Sequence, residues 1–372
     1  MSDALLDPPA IQPARFGQLE ASVASLLETR LEVVLPQAEA VLPLEAAARS
    51  LGRPGTFALN LNSKPYGAAF GRWLEATGAS VVGVEAEGHN AIRPEAVEEA
   101  LKQNPSVSVV SFVHVEAASG VANDAEAIAG LARAHGALIV IDVVASFGAQ
   151  EVRLDEWAVD VAVAGPQKAL AGPAGISIAA LSRRAWDAMA DNPGAPRDSM
   201  LSLLDWKARW LDTDRSAIPG TPSPLEILAL EAALQRVEAE GLVAVRRRHR
   251  AAAAASRAGI RALGLSPFAA DAEAAFVATT LSVPDGLDAR SLIARARGGR
   301  QIALSPGIGE LARSVARIDH TGQRARLDVV LEALEAIGGA LDDGRRAPAL
   351  VQQALAAAEH AFSSEMGPAG SP

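Results

Sequence analysis

Two short apolar runs, each stopped by a group able to do chemistry, constrain this chain more than anything else in it. Leu138–Ile141 ends on Asp142, and Val161–Ala164 ends on Gly165-Pro166-Gln167-Lys168. Runs this short, rich in Val and Ile and closed by Gly, Pro or a polar residue, read as buried parallel strands. In an open α/β sheet the working groups lie just beyond the carboxyl ends of the strands. Asp142 and Lys168 are therefore expected in one crevice. An amine that can attack an aldehyde, and an acid that can partner a pyridine nitrogen, suit a pyridoxal-type site. A buried ion pair between the two, or a lysine capping a strand end, explains the same pattern.

Composition sharpens the choice. Of 34 basic residues only four are lysines, Lys64, Lys102, Lys168 and Lys207, so this chain uses arginine where charge alone is wanted. Only lysine readily loses its proton and attacks a carbonyl. The chain has no cysteine, which excludes disulfides and thiolate chemistry. A net charge of −10 argues against nucleic acid as a partner. No apolar run is long enough to cross a bilayer, and the first residues do not read as a signal peptide. The expectation is a cytoplasmic protein that acts on small molecules. Its 372 residues leave room for a large core and a smaller second domain.

Along the chain, residues 1–15 are Pro-rich and expected to be irregular. Residues 16–240 read as a large domain of alternating strands and helices, the pattern of one mainly parallel sheet covered on both faces. Strands are expected at 31–35, 56–61, 80–84, 107–114, 138–141, 161–164 and 176–181, the last doubling back along the sheet. Helices are expected at 18–30, 42–51, 67–77, 93–103 and 124–135, with Asp124 as a cap. A long helical region runs from Ser223 to about Ala262. Within it Arg246–Arg250 reads as a solvated basic patch. Residues 241–345 read as a smaller C-terminal domain with strands at 276–283 and 301–304 and a helix at 327–341. Residues 346–372 read as a final helix and a disordered tail.

The motifs Asp142–Gly148 (DVVASFG), Gly165–Gly175 (GPQKALAGPAG) and Ser182–Met189 (SRRAWDAM) resemble the class V aminotransferases. The resemblance runs from about Phe16 to Gly339. It implies an α/β fold of type I, a mostly parallel seven-stranded sheet sandwiched by helices, with a smaller α+β domain after it. It implies a transaminase with pyridoxal 5′-phosphate or a relative of it as cofactor. Lys168 then looks like the Schiff-base lysine, and Asp142 like the partner of the ring nitrogen. Val144 and Tyr66 would pack on the two ring faces. His114, Glu116 and Gln167 would lie near the ring, and Arg317, in Ala316–Gly322 (ARIDHTG), would take the substrate carboxylate. Thr221 would reach a neighbouring subunit's site in a homodimer or homotetramer.

One departure redirects the cofactor expectation. Phosphate-dependent members carry a small loop before the helix that here reads Leu44-Glu45-Ala46-Ala47. This chain has Gln37-Ala38-Glu39-Ala40-Val41 there. Two unit charges about 4 Å apart repel by roughly 4 kcal/mol at an effective dielectric near 20. The cup therefore suits an alcohol better than a phosphate. Glu39 would accept a hydrogen bond from the hydroxymethyl group of pyridoxal or pyridoxamine, or would simply favour a helix N-terminus. Further similarity, in Leu59–Gly71, Asn192–Trp206 and Thr221–Pro224, is to a branch that treats the unphosphorylated vitamin as substrate. The resemblance then implies exchange of pyridoxamine plus pyruvate with pyridoxal plus L-alanine. An ordinary phosphate-dependent enzyme of the alanine or serine–glyoxylate or pyruvate type, and a catalytically weak pyridoxal-binding protein, are the alternatives. Ala117, Ile308, Asp319 and a short segment before Phe16 depart from that branch. They concentrate on the substrate side.

Overall fold

The structure is a computed structural model that describes residues 7–88, 90–341 and 347–367. The first six residues, the expected boundary at 345/346 and most of the expected tail lie outside the described residues.

The chain opens with helix α1 (Pro13–Leu26), strand β1 (Glu32–Val34), helix α2 (Val41–Leu51) and strand β2 (Phe57–Asn62). Then come α3 (Gly67–Glu75), β3 (Ser80–Glu85), α4 (Pro94–Gln103), β4 (Val109–Val113), a small hairpin of β5 (Val115–Glu116) and β6 (Val121–Ala122), and α5 (Ala125–His135). The working stretch is β7 (Leu138–Asp142), β8 (Val161–Ala164) and β9 (Ile178–Leu181), followed by α6 (Arg183–Ala190) and a short helical turn, α7 (Leu203–Asp205). Seven strands form one sheet in the order β1-β9-β8-β7-β4-β2-β3. Only β9 runs against the rest, pairing antiparallel with both β1 and β8. Strands β4, β8 and β9 are buried along their whole length, which explains their unbroken apolar sequences. The neighbours of β2 and β4 lie on opposite sides, so the crevice opens where strand order reverses.

The second layer is smaller. Helices α8 (Pro224–Glu240) and α9 (Leu242–Ala262) lead to β10 (Ser266–Pro267), β11 (Thr279–Ser282), α10 (Ala289–Arg297), β12 (Leu304–Pro306), β13 (Val315–Ile318), α11 (Leu327–Leu341) and α12 (Ala347–Met366). The four strands form an antiparallel sheet in the order β10-β11-β13-β12. Pro306 is tolerated because β12 is an edge. A core separate from the large one, built on Leu281, Leu292, Ile318 and Leu334, holds this sheet to α9, α10 and α11.

Four expectations need correction. The irregular segment ends early, because α1 begins at Pro13, whose fixed φ suits the first helical turn. That helix also stops before Arg30, with Glu28 in a left-handed conformation, φ 51°. The helical region after Ser223 is two helices, separated at Gly241, φ 84°, a conformation suited to glycine. The basic run is not a solvated patch. Arg246 pairs with Glu28 at 2.9 Å and Arg248 with Glu240 at 2.6 Å, while only Arg247 and Arg250 are exposed. His249 is wholly buried. Its Nε2 accepts from Gly322 N–H at 3.0 Å, so Nδ1 carries the proton and donates to the Val245 carbonyl at 2.8 Å.

This joint matters to the crevice. Arg248 also donates to the Gly322 carbonyl at 2.6 Å, so α9 grips Gly322 from both ends of its backbone. Gly322 has φ +61°, and a Cβ there would stand 2.8 Å from the Ala171 Cβ and 2.9 Å from the Lys168 carbonyl. Gly322→Ala combines left-handed strain with overpacking against the lysine loop. It is expected to lower stability by about 2 kcal/mol or more, read as a lower urea midpoint at unchanged slope.

Candidate active site

The carboxyl ends of β2, β4, β7 and β8 open into one cavity, lined among others by Glu39, Asn60, Tyr66, Asp142, Val144 and Lys168. Asp142 is the last residue of β7, in register with Val113 of β4 and Val163 of β8. Its Oδ1 accepts the Val144 N–H at 2.8 Å. Burial pushes its carboxyl up to about 6, and the Glu39 charge adds to that. The Val144 hydrogen bond and the Lys168 charge act the other way. Lys168 follows β8 by a four-residue turn and reaches the same cavity. The two charges feel each other, yet no ion pair closes between them among the described residues. Neither group is spent on the other, which removes the ion-pair reading of the spacing.

Glu39 stands at the mouth of the cavity. Its Oε2 accepts the Val41 N–H at 2.9 Å, at the start of α2, and its Oε1 accepts from Gln167 Nε2 at 3.0 Å. The carboxylate thus fills the helix terminus where an anion would bind. An anion placed there would meet the Glu39 charge, whereas a hydroxyl would meet an acceptor. The Gln167 Oε1 is buried without a partner.

Tyr66 lines the cavity and remains 44% exposed, so a ring can meet it from the open side. Its hydroxyl is pushed up by burial and by the charges of Glu116, Glu39 and Asp142, against the pull of Arg317. Those four charged groups therefore act together on one phenol. Arg317 lies on β13, its Nη2 bonded to Asp319 Oδ1 at 2.8 Å.

Other expected residues fall elsewhere. Glu116 is buried and does not line the cavity. Its Oε2 accepts the Tyr66 N–H at 2.9 Å and its Oε1 the Ala118 N–H at 3.1 Å. It fixes the loop that carries Tyr66. His114 does not line the cavity either. It packs edge-on against Trp157, ring centroids 5.4 Å apart, and burial pushes it down to about 4, so it is neutral. Thr221 is exposed and outside the cavity of its own chain. Ala117 is in the lining, and Ile308 belongs to a neighbouring cleft beside Lys64 and Pro65.

The sequence reading missed a polar support under Tyr66. Ser111 donates to Asn60 Oδ1 at 2.6 Å, and Asn60 Nδ2 donates to the Gly67 carbonyl at 3.0 Å. Asn123 ties the loop from its other side, donating to Ser63 Oγ at 2.8 Å and to the Val113 carbonyl at 2.7 Å. The only signal was polar residues inside otherwise apolar strands, as in Leu59–Asn62.

Burial pushes Glu116 up to about 7 from an ordinary 4.5, and Asp142 to about 6 from 3.8. In those windows these two carboxyls bind more protons in the ligand-free fold than in the unfolded chain, so their contribution to stability falls as pH rises, while the buried His114, His249 and His320, pushed down from 6.5, contribute in the opposite sense. The Glu116 share is expected to be lost between about pH 4.5 and 7. Urea midpoints of wild type and Glu116→Gln, which cannot ionise, isolate it: the difference is expected to move against the wild type as pH rises across that range.

Residues 64–308 match the class-V aminotransferase family. Among curated proteins, the pyridoxamine–pyruvate transaminase of Mesorhizobium japonicum is 40% identical over 327 residues, covering 87% of this chain and 83% of that protein. The crystal structure of pyridoxamine-pyruvate aminotransferase from Mesorhizobium loti superposes with a TM-score of 0.91 at 35% identity, covering 97% of this chain and 93% of that one. The ureidoglycine–glyoxylate aminotransferase of Bacillus subtilis gives 0.83 at 26% identity, covering 96% and 93%. With an acid and a free amine at adjacent strand ends, on a sheet of this order, the chain belongs to the class-V aminotransferases, pyridoxal-dependent transaminases of fold type I.

Proposed function

We propose that this transaminase exchanges pyridoxamine plus pyruvate with pyridoxal plus L-alanine, taking the free vitamin as substrate without its 5′-phosphate. The observation that carries the reading is Glu39, whose carboxylate fills the α2 terminus and faces the cavity that holds Lys168 and Asp142. The likeness to a pyridoxamine–pyruvate transaminase supports it.

The residues divide the work as follows. Lys168 would hold a bound pyridoxal through its aldehyde carbon, with loss of water, and, once an amino acid had displaced it, its free amine would carry a proton between Cα and that carbon. A lysine can give up its proton for this and an arginine cannot. The pyridine ring, when bound, would supply the electron sink for that proton transfer. Asp142 accepts the ring N–H, and that cation returns its carboxyl toward the ordinary range. Val144 packs on one ring face and Tyr66 on the other. Glu39, braced by Gln167, accepts the hydroxymethyl O–H. Arg317 receives the substrate carboxylate. Glu116 holds the Tyr66 loop, and His114 packs behind the end of β4. Thr221, exposed on its own chain, serves the partner's site in a homodimer. No described helix is long and apolar enough to cross a membrane, in keeping with a cytoplasmic enzyme of small metabolites.

An absorbance titration of cofactor-free protein tests this. A visible band is expected with pyridoxal, weaker or absent with pyridoxal 5′-phosphate, and lost in Lys168→Ala. Glu39→Gly is expected to shift the preference toward the phosphate by about tenfold or more, the repulsion being partly screened at the exposed cup. A band with the phosphate alone overturns the free-vitamin reading. Consumption of pyridoxal that depends on L-alanine completes the assignment.

A further inference from the structure

Arg317 already has a carboxylate. On β13, Ala316 and Ile318 enter the small core, so Arg317 projects from the opposite face. Asp319, two residues on, falls on the same side. Its Oδ1 accepts from Arg317 Nη2 at 2.8 Å, with the two side chains only 14% and 18% exposed. The Arg317 Nε is buried and has no partner. The guanidinium is therefore half neutralised before any substrate arrives, in a place where water screens little. Arg317 is not part of the lining of the Lys168 cavity, though its charge acts on the Tyr66 hydroxyl there, and among the described residues of that lining Lys168 is the single cation, against Glu39 and Asp142.

We infer that Asp319 is a specificity-determining residue, an internal counterion on Arg317 that limits the amino-acid and keto-acid substrates to small monocarboxylates and holds them loosely. The inference rests on the role proposed above for Arg317. An incoming carboxylate uses the donors that Asp319 leaves free, and meets repulsion from Asp319 itself. A second carboxylate on the same substrate adds to that repulsion, and Lys168, committed to the amine chemistry, does not offset it. Keto acids such as pyruvate fit this charge pattern, and dicarboxylates such as oxaloacetate do not.

Steady-state kinetics of Asp319→Asn and Asp319→Gly test it, with Asp328→Asn as the control. Asp328 pairs with Arg326 on the exposed surface. In both Asp319 variants KM for pyruvate is expected to fall about tenfold, with kcat changing by less than about threefold. Oxaloacetate should become a measurable amino acceptor, and the control should show neither change. Calorimetric titration of pyruvate into each protein reads the same point without turnover and should show the same tightening. An unchanged pyruvate affinity overturns the inference. A weakened one overturns it too and makes Asp319 a brace that positions Arg317. Failure of pyridoxal to form its Lys168-dependent band sinks the functional reading instead, and the calorimetric comparison still decides the charge relation.

Discussion

An amine and a carboxyl face one cavity and stay apart, and much of this structure serves that separation. Adjacent parallel strands deliver them, Asp142 as the last residue of β7 and Lys168 from the turn after β8. Left without its counterion, the Asp142 carboxyl sits high, near 6, because burial outweighs the one backbone hydrogen bond it receives. Such a group gains from any ligand that brings a cationic N–H to it. The desolvation cost is met by the surrounding core, in which β4 and β8 are apolar and buried from end to end.

Around that pair the protein spends other polar groups on placement. Glu116 turns away from the cavity and bonds the backbone at the start of α3, while Asn60 holds the same turn through the Gly67 carbonyl. Tyr66 is thereby held at the mouth while its ring stays open to the cavity. On the far side, the His249 and Arg248 contacts to Gly322 press the small layer against the lysine loop. Two layers with separate cores are thus joined close to the reacting groups.

The seven strands of the large sheet, their order of appearance and the meeting of Asp142 and Lys168 in one crevice were legible because each depends on local pattern, whereas the hairpin β5–β6 and the strands β10 and β13 were not. An apolar run stopped by Asp or by Gly-Pro-Gln-Lys reads the same in any context. Lys168 stood out because lysine is rare here. What a side chain meets across the fold was less legible. Glu116 and His114 follow β4 as the expected ligands do, but which way a carboxyl turns depends on where α3 begins, and that is tertiary information. The run Arg246–Arg250 looked exposed by composition. Its helical period in fact sends Arg246, Arg248 and His249 toward partners from Glu28, Glu240 and Gly322, residues far apart in sequence. The Arg317–Asp319 contact needed only strand alternation and was readable in principle.

The Glu39 carboxylate has a double occupation. It caps α2 through the Val41 N–H and receives Gln167 from the loop that bears Lys168. Removing it to admit a phosphate would also uncap a helix and release a neighbour of the lysine. Without a bound ligand, a chain lacking Glu39 leaves the Val41 N–H open to water and Gln167 without its acceptor. On the function proposed above, the same carboxylate thus joins ligand choice to the folding of the empty enzyme.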